Sequence, residues 1–226
     1  MVHQRSGSVP RVSSDLELLA SGNEADVYAL DECRVLRRHR WMTDVSGEAE
    51  LMAYVGSLGY PVPEVYAARG GDLEMERLHG PTMAVAMAEG RVPIGESATV
   101  LADLLRRLHD LPPLPGGTGR ILHLDLHPEN VMLTGRGPVV IDWVNARDGH
   151  PDLDTGLSAL ILAMVATDGE HVWSAPAGEL LDAFLAVAPG DPFRLLDDAV
   201  RVRMRQLSLD DDGSLAPAVA RMLGES

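Results

Sequence analysis

Residues 121–143 constrain the fold of this chain most, because short apolar runs alternate there with single polar residues. Residues 131–133 and 139–141 predict two strands, and a glycine-containing segment between them predicts the tight turn that joins them. Such a hairpin brings Asn130, which precedes the first strand, and Asp142, which follows the second, to the same end. The pattern therefore predicts a group of polar side chains at the open end of a β-hairpin.

Asp125 precedes this hairpin, and with Asn130 and Asp142 it forms a set that is typical of phosphoryl transfer. One carboxylate can accept the proton of a hydroxyl nucleophile. The amide oxygen and the second carboxylate can hold Mg²⁺ against nucleotide phosphates, since this hard cation prefers oxygen ligands. The spacing of the three residues therefore predicts a kinase-like site.

A metal site without a nucleotide is an alternative interpretation of the same stretch. His123, Asp125 and His127 alternate along an extended segment, so their side chains could face one way and bind a transition metal. Residues 128–130 and 141–143 have no place in such a triad, and they favour the kinase interpretation.

The motif H-x-D-x-x-x-x-N over residues 123–130, followed by I-D-W over residues 141–143, resembles a known pattern. It is similar to the catalytic loop and the D-F-G position of aminoglycoside phosphotransferases and related small-molecule kinases. The resemblance implies an α+β, bilobal protein-kinase-like fold, with a small N-lobe of antiparallel sheet plus one helix and a mainly helical C-lobe. It also implies Asp125 as the catalytic base, Asn130 and Asp142 as Mg²⁺ ligands, and ATP, with GTP as the alternative, as the phosphate donor.

The same resemblance implies where the nucleotide binds. Ser21 and Gly22 lie in a loop of small residues that matches the nucleotide-covering loop of the family. Glu76 and Leu78 lie at a strand end that matches the hinge between lobes, whose backbone N–H and C=O groups would read the adenine edge. Both segments are expected to contact the nucleotide.

The predicted phosphate-binding cation departs from the common pattern of the family. All 19 basic residues are arginine, because the sequence contains no lysine. By resemblance, Arg37 takes the place of the strand lysine that holds the α- and β-phosphates, and Glu48, favoured over Glu50, pairs with it from the following helix. Two interpretations stay open: Arg37 replaces the lysine in an active enzyme, or the chain is a nucleotide-binding module that has lost catalysis.

Three segments are expected along the chain. Residues 1–14 are polar and predicted to be disordered, residues 15–78 to form the N-lobe, and residues 79–226 to form the C-lobe. The short segment 112–119 leads directly into the catalytic stretch, where larger relatives insert substrate-binding helices. The chain is therefore interpreted as a short member of the family, so the family name does not identify its substrate.

Apolar residues at helical spacing predict the helices of both lobes. The family places an acidic residue just before the helix that follows the hairpin, and Asp154, with Asp152 second, is expected to cap that helix and support the catalytic loop. Asp197, Arg201 and Arg205 are predicted to form an exposed ladder of charges. The predicted helices cover residues 46–58, 96–111, 155–166, 178–187, 192–209 and 215–223.

The balance of 34 acidic against 19 basic residues gives a net charge of −15, which argues against a nucleic-acid partner and favours a cationic small-molecule acceptor. Cys33 is the only cysteine, so no intrachain disulfide can form. The N-terminus lacks the apolar core of a signal peptide, and no apolar run is long enough to span a bilayer. We therefore expect a cytoplasmic enzyme without a membrane partner, which phosphorylates a hydroxyl of an antibiotic or a related metabolite.

Overall fold

A computed structural model describes residues 16–22, 24–42, 44–208 and 215–225 of the chain. The chain separates into two compact units. The first unit comprises the described residues up to Ala49 together with Val65–Arg77, and the second comprises Glu50–Glu64 together with the described residues from Leu78 onward. The segment predicted to be disordered, residues 1–14, lies outside the described residues.

An antiparallel sheet of five strands forms the first unit, with the spatial order β1-β2-β3-β5-β4. Neighbouring strands β3 and β5 supply the buried apolar side chains Val35, Leu36 and Leu73. The strand that carries Arg37 therefore lies in the middle of the sheet, where its register is determined on both sides. The strands are β1 (Leu18–Ser21), β2 (Ala25–Ala29), β3 (Arg34–His39), β4 (Val65–Arg69) and β5 (Asp72–Glu76).

Helix α1 (Ser46–Ser57) begins in the first unit and ends in the second. Leu51, Met52 and Val55 recur at helical spacing and are buried, as the sequence pattern predicts. Glu48 lies in the first turn, where the positive end of the helix dipole stabilises a carboxylate. The start of the helix therefore accommodates a buried acidic side chain.

Helices dominate the second unit, and α4 lies at its centre, packed against α5, α6 and α7. Most of α4 is buried, because a helix that is apolar on all sides is stable only where other elements surround it. Helix α2 was not predicted; it begins after Thr82, whose hydroxyl accepts the N–H of Val85 at 3.2 Å. The helices are α2 (Met83–Ala88), α3 (Ile94–Asp110), α4 (Pro151–Thr167), α5 (Ser174–Leu185), α6 (Leu196–Leu207) and α7 (Ala216–Leu223).

Two short antiparallel strand pairs flank the polar segment 123–130 of the second unit. Strand β6 (Arg120–Leu122) pairs with β9 (Arg147–Gly149), and β7 (Val131–Thr134) pairs with β8 (Gly137–Val140). The predicted hairpin is thereby confirmed. Its turn is tighter than predicted, since Gly137 already pairs with the opposite strand and adopts a φ of +102° that suits glycine.

The α+β class predicted from the sequence is confirmed, with an antiparallel sheet in the first unit and a largely helical second unit. Among the described residues, no helix combines the length and the apolar character that crossing a membrane requires.

Candidate active site

The catalytic loop, residues 123–130 between β6 and β7, is held by Asp154 of α4. Oxygen Oδ2 of Asp154 accepts the N–H of His123 at 2.9 Å, and Oδ1 accepts the N–H of Leu124 at 2.7 Å. His109 donates from Nε2 to the same Oδ2 at 2.9 Å. Because Asp154 is fully buried, these charge-assisted hydrogen bonds fix the path of the chain just before Asp125.

Asp154 contacts the loop from a different position than the sequence predicted. Helix α4 begins at Pro151, and His150 is its N-cap residue, with Nδ1 accepting the N–H of Asp152 at 3.2 Å. Asp154 lies in the first turn, and its carboxylate bonds the neighbouring loop rather than the N–H groups of its own helix. The N-cap prediction is wrong because a proline at the first helical position starts the helix earlier.

Asp125, the predicted base, has a side chain that is 16% exposed. Its Oδ1 accepts a hydrogen bond from Nη1 of Arg203 at 3.1 Å. Its Oδ2 lies 3.4 Å from the amide nitrogen of Asn130. The carboxylate is therefore oriented by α6 and by the end of its own loop, while part of its surface stays accessible.

Arg203 is a residue of this site that the sequence analysis did not identify. It lies on α6, where Nη1 also donates to Oε1 of Gln206 at 3.3 Å. Gln206 in turn donates to the carbonyl of Leu124 at 2.9 Å. Helix phase could have placed Arg203 and Gln206 on the inward face of α6. Arg203 lies four residues after the buried Ala199, and Gln206 lies three residues after Arg203, so all three share one side of the helix.

The amide of Asn130 is oriented by two acceptors on the catalytic loop. Its Nδ2 donates to the carbonyl oxygen of Asp125 at 2.9 Å and faces Nε2 of His127 at 3.2 Å. Burial lowers the pKa of His127, against the opposing charges of Asp125 and Glu129, so its ring is neutral near pH 7 and its Nε2 can accept. With the nitrogen engaged in this way, Oδ1 of Asn130 is the atom directed away from these partners.

Asp142 follows the second strand of the hairpin and comes directly after Ile141, whose backbone bonds Asn130. The N–H of Ile141 donates to the carbonyl of Asn130 at 3.0 Å, which joins the two ends of the hairpin. Asp142 has a φ of +63°, a left-handed conformation that is uncommon for a residue with a side chain. An amide oxygen and a carboxylate are ligands that suit Mg²⁺, so the residues present fit the metal that the resemblance implies.

The alternative metal triad is not assembled. His123 is fully buried, donates from Nε2 to the carbonyl of Ile141 at 3.1 Å, and stacks edge-on against Trp143 at 4.8 Å. The left-handed φ of +62° at Leu124 interrupts the extended backbone that the alternation argument assumed. In the part of the chain that the structure describes, no group of three or more His, Cys, Asp or Glu residues could hold a metal ion.

The first unit contains the predicted cation and its partner. Arg37 on β3 and Glu48 on α1 form a buried ion pair, with side chains that are 8% and 3% exposed. Glu50 is exposed, and Arg38 points to the other side of the strand, where its Nε donates to Asp72 at 2.6 Å. The structure thus pairs Glu48, rather than Glu50, with the arginine at the expected strand position.

The loop that contains Ser21 and Gly22 forms the connection between β1 and β2. The N–H of Gly22 donates to the carbonyl of Ala25 at 2.9 Å. Arg40, which the sequence analysis did not single out, donates to the carbonyl of Gly22 at 2.6 Å and to Oγ of Ser21 at 2.8 Å. The predicted nucleotide-covering loop is therefore tied down by an arginine at the end of β3.

The segment predicted as the hinge coincides with the boundary between the two units. Strand β5 ends at Glu76, and the next N–H, that of Arg77, donates to the carbonyl of Cys33 at 2.7 Å. Leu78, the first residue after the boundary, has an N–H that makes no hydrogen bond to any described residue. The contact of this segment with an adenine edge stays a prediction.

A cavity of about 120 Å³ lies against the catalytic loop within the second unit. His127, Pro128 and Glu129 form its loop side, and helices α4 and α5 contribute mostly apolar residues, among them Ile161 and Leu180. The sequence could not reveal this cavity, because its walls come from segments that are far apart along the chain.

Comparisons with known proteins agree with this geometry. The model of a family described as "Phosphotransferase enzyme family" matches residues 15–120 and 113–197. No curated protein matches the sequence.

Several solved structures share the fold. The ternary complex of streptomycin, ATP and APH(2")-IIa superposes with a TM-score of 0.56 at 14% sequence identity, over 94% of this chain and 92% of that one. The aminoglycoside phosphotransferase APH(3'')-Id from Streptomyces rimosus gives 0.54 at 18%, over 90% and 92%. A choline/ethanolamine kinase family protein from Mesorhizobium loti gives 0.54 at 18%, over 92% and 86%. At these identities the likeness establishes a protein-kinase-like fold and leaves the acceptor open.

Proposed function

The chain belongs to the phosphotransferase enzyme family, and on that premise we propose that it uses Mg²⁺ and ATP to phosphorylate a hydroxyl of a small molecule, such as an antibiotic or a metabolite. The observation that carries the proposal is the arrangement of Asp125, Asn130 and Asp142 around one hairpin. Since ATP is the donor, we place the reaction in the cytoplasm.

Asp125 acts as the base of this reaction. Bound ATP supplies a γ-phosphorus that bonds the acceptor oxygen while its bond to the β-phosphate oxygen breaks, and ADP leaves with that electron pair. Asp125 takes the hydroxyl proton and orients the oxygen, because its carboxylate is held by Arg203 and Asn130 yet partly exposed. Burial lowers the pKa of the neighbouring His127, so its ring is neutral and adds no positive charge beside Asp125.

Asn130 and Asp142 would hold Mg²⁺, which neutralises the charge of the phosphate oxygens when bound. Asn130 contributes Oδ1, since its nitrogen is occupied by loop acceptors. The buried contact between the rings of His123 and Trp143 links the start of the loop that carries Asn130 to the hairpin end that carries Asp142.

Arg37 would bind the nucleotide phosphates, with Glu48 holding its guanidinium in place. A buried ion pair costs desolvation energy, and its retention is understandable when the cation has a ligand to bind. A guanidinium also presents a planar fork that suits phosphate oxygens. Ser21 and Gly22 would cover the phosphates, and the backbone from Glu76 to Leu78 would contact the base.

A phosphate-transfer screen tests the proposal. The protein is incubated with Mg²⁺ and ATP, or GTP, and a panel of hydroxylated antibiotics and metabolites, and acceptor-dependent ADP or GDP formation and phosphorylated product are measured. Asp125→Asn serves as the matched control, since it differs from the wild type by one charged oxygen. Nucleotide binding with no transfer to any acceptor would instead indicate an inactive nucleotide-binding module.

A further inference from the structure

Arg203 places a positive charge directly beside the proposed base. Its Nη1 donates to Oδ1 of Asp125 at 3.1 Å, and both side chains are 16% exposed. Charges at this depth are screened less by salt than charges on the surface. The guanidinium therefore offsets much of the negative charge that Asp125 would otherwise present to an acceptor.

The position of this guanidinium is built into the fold. Gln206, one turn further along α6, accepts from Arg203 and donates to the carbonyl of Leu124. Leu124 is held in its left-handed conformation from its N–H side as well, by Asp154. Nε of Arg203 is buried and has no hydrogen-bond partner among the described residues, so the protein does not use all the donors of this side chain.

The cavity next to the catalytic loop offers little to a cation. Of the described residues that line it, one, Glu129, is acidic, and most of the others are apolar. His127, at the side nearest to Asp125, lies 3.9 Å from that carboxylate. Among the described residues that line the cavity, a polycationic ligand would therefore find a single carboxylate, that of Glu129, and the nearby carboxylate of Asp125 is already paired with Arg203.

We propose that Arg203 is a specificity-determining residue of the acceptor site, and that it selects alcohols with a neutral or anionic group, not an ammonium, near the reacting hydroxyl. The inference rests on the proposed function and names the acceptor class. The net charge of −15, from which the sequence predicts a cationic acceptor, describes the field of the whole molecule. Selection depends on the charge within a few ångströms of Asp125, where a distant surface charge is screened. The transfer step is the one above: the acceptor oxygen bonds the γ-phosphorus, ADP leaves, and Asp125 takes the proton.

Three sugars that share their ring hydroxyls and differ in charge provide the test. Glucosamine is cationic, N-acetylglucosamine is neutral and N-succinylglucosamine is anionic. Their dissociation constants from the wild type are measured by ligand-observed NMR with Mg²⁺ and a non-hydrolysable ATP analogue present. Phosphorylation of each sugar is measured in parallel with ATP.

We expect the wild type to bind the neutral and anionic sugars at least about tenfold more tightly than glucosamine. Arg203→Met, which keeps the length of the side chain and removes the charge, should abolish that preference. Arg203→Lys should retain it, and this rescue separates charge selection from a purely structural role. Arg201→Met is the matched control, because Arg201 is 58% exposed and pairs with Asp198 rather than forming the predicted ladder with Asp197 and Arg205.

Three results overturn the inference: an unchanged preference in Arg203→Met, tighter binding of glucosamine by the wild type, or no binding of the neutral and anionic sugars. If Arg203→Met does not fold, the comparison is made with Arg203→Gln and Arg203→Lys. A preference that follows Arg203 without phosphate transfer to any alcohol would leave the charge selection in place and refute the proposed function. Preferential phosphorylation of glucosamine would support the proposed function and refute the charge selection.

Discussion

At the scale of single residues, the partners of a carboxylate decide its role. Asp154 uses both oxygens to accept backbone N–H groups and a histidine N–H, so it is committed to the structure of the loop. Asp125 has one oxygen bound by Arg203 and a long contact at the other, and it stays partly exposed. Only the second arrangement leaves a carboxylate able to meet a substrate hydroxyl.

Replacing Asp125 by asparagine should therefore abolish most of the activity without affecting nucleotide binding. A positioned base typically contributes about 10²–10⁴-fold, and kcat is expected to fall by this factor. Steady-state kinetics and calorimetric titration with the nucleotide measure the two effects. Retention of more than about a tenth of the wild-type kcat would refute the role of Asp125 as base.

Replacement of the proposed metal ligands should affect nucleotide binding as well as turnover. Asp142→Asn removes a charged ligand and should weaken Mg²⁺-dependent binding of ATP, whereas Asn130→Ala removes a neutral ligand and should weaken it less. Calorimetry at several Mg²⁺ concentrations distinguishes the two. Identical ATP affinity of Asp142→Asn and the wild type at every Mg²⁺ concentration would contradict the assignment.

Arg37 is expected to bind phosphate in place of the missing lysine. Arg37→Ala should raise the KM for ATP and lower kcat, by about tenfold or more in kcat/KM, since a cation facing the phosphates is lost. Arg37→Lys should restore activity only in part, because a point charge does not reproduce the fork of a guanidinium. Arg38→Ala, on the opposite side of the same strand, is the control and should behave like the wild type. The reverse outcome, an active Arg37→Ala and an inactive Arg38→Ala, would mean that the wrong arginine has been assigned.

At the scale of elements, the catalytic loop depends on helices that are remote in sequence. Helix α4 holds the loop through Asp154, and α6 holds it through Gln206 and Arg203. The two contacts meet at Leu124, one residue before the proposed base. Because Leu124 is in a strained conformation, the loop keeps its shape only while both helices are in place.

Asp154→Ala should thus destabilise the protein strongly. The substitution leaves the N–H groups of His123 and Leu124 and the ring of His109 buried without their charged acceptor. We expect a loss of about 3–5 kcal/mol in the free energy of unfolding, measured by urea denaturation. Asp103→Ala is the control, since Asp103 is exposed and its contact with Arg106 is long at 3.4 Å, and it should change the stability by less than about 0.5 kcal/mol. Similar unfolding curves for the two variants would refute this role of Asp154.

Two glycines should respond to alanine with opposite signs. Gly80 has a φ of +144°, and an added Cβ would lie 2.0 Å from the carbonyl oxygen of Leu133. Gly80→Ala should destabilise the protein by roughly 1–3 kcal/mol or more, because both the backbone and the β7 strand must shift. Gly95, in α3, has no atom within 4 Å of an added Cβ, so Gly95→Ala should stabilise the protein by about 0.4–1 kcal/mol. A stability of Gly80→Ala equal to that of the wild type would show that this close approach is not maintained in solution.

At the scale of the whole molecule, the chain has the protein-kinase-like architecture of its family. The family match extends from residue 15 to residue 197, and the neighbouring structures are covered over most of their own length. The described helices after α4 are α5, α6 and α7, and α6 supplies Arg203, which bonds the proposed catalytic base Asp125. A helix that follows α4 therefore contributes a side chain to the candidate active site.

The sequence by itself determined the fold class, the hairpin and the identity of the candidate catalytic residues. The hairpin follows from local turn and strand patterns, whereas the fold class and the roles of Asp125, Asn130 and Asp142 follow from the family resemblance that residues 123–130 and 141–143 carry. The pairing of Arg37 with Glu48 was also accessible, since the family resemblance implies such a pair and helix phase favours Glu48 over Glu50.

Only the tertiary structure decided what surrounds these residues. Arg203 and Asp125 are 78 positions apart, and His109 and Asp154 are 45 positions apart. A single sequence contains the phase of each helix but not the neighbour that its inward face meets, so neither contact could be predicted. The proposed charge of the acceptor depends on one such contact. The composition of the chain favours a cationic acceptor, whereas the contact of Arg203 on α6 with Asp125 favours a neutral or anionic one.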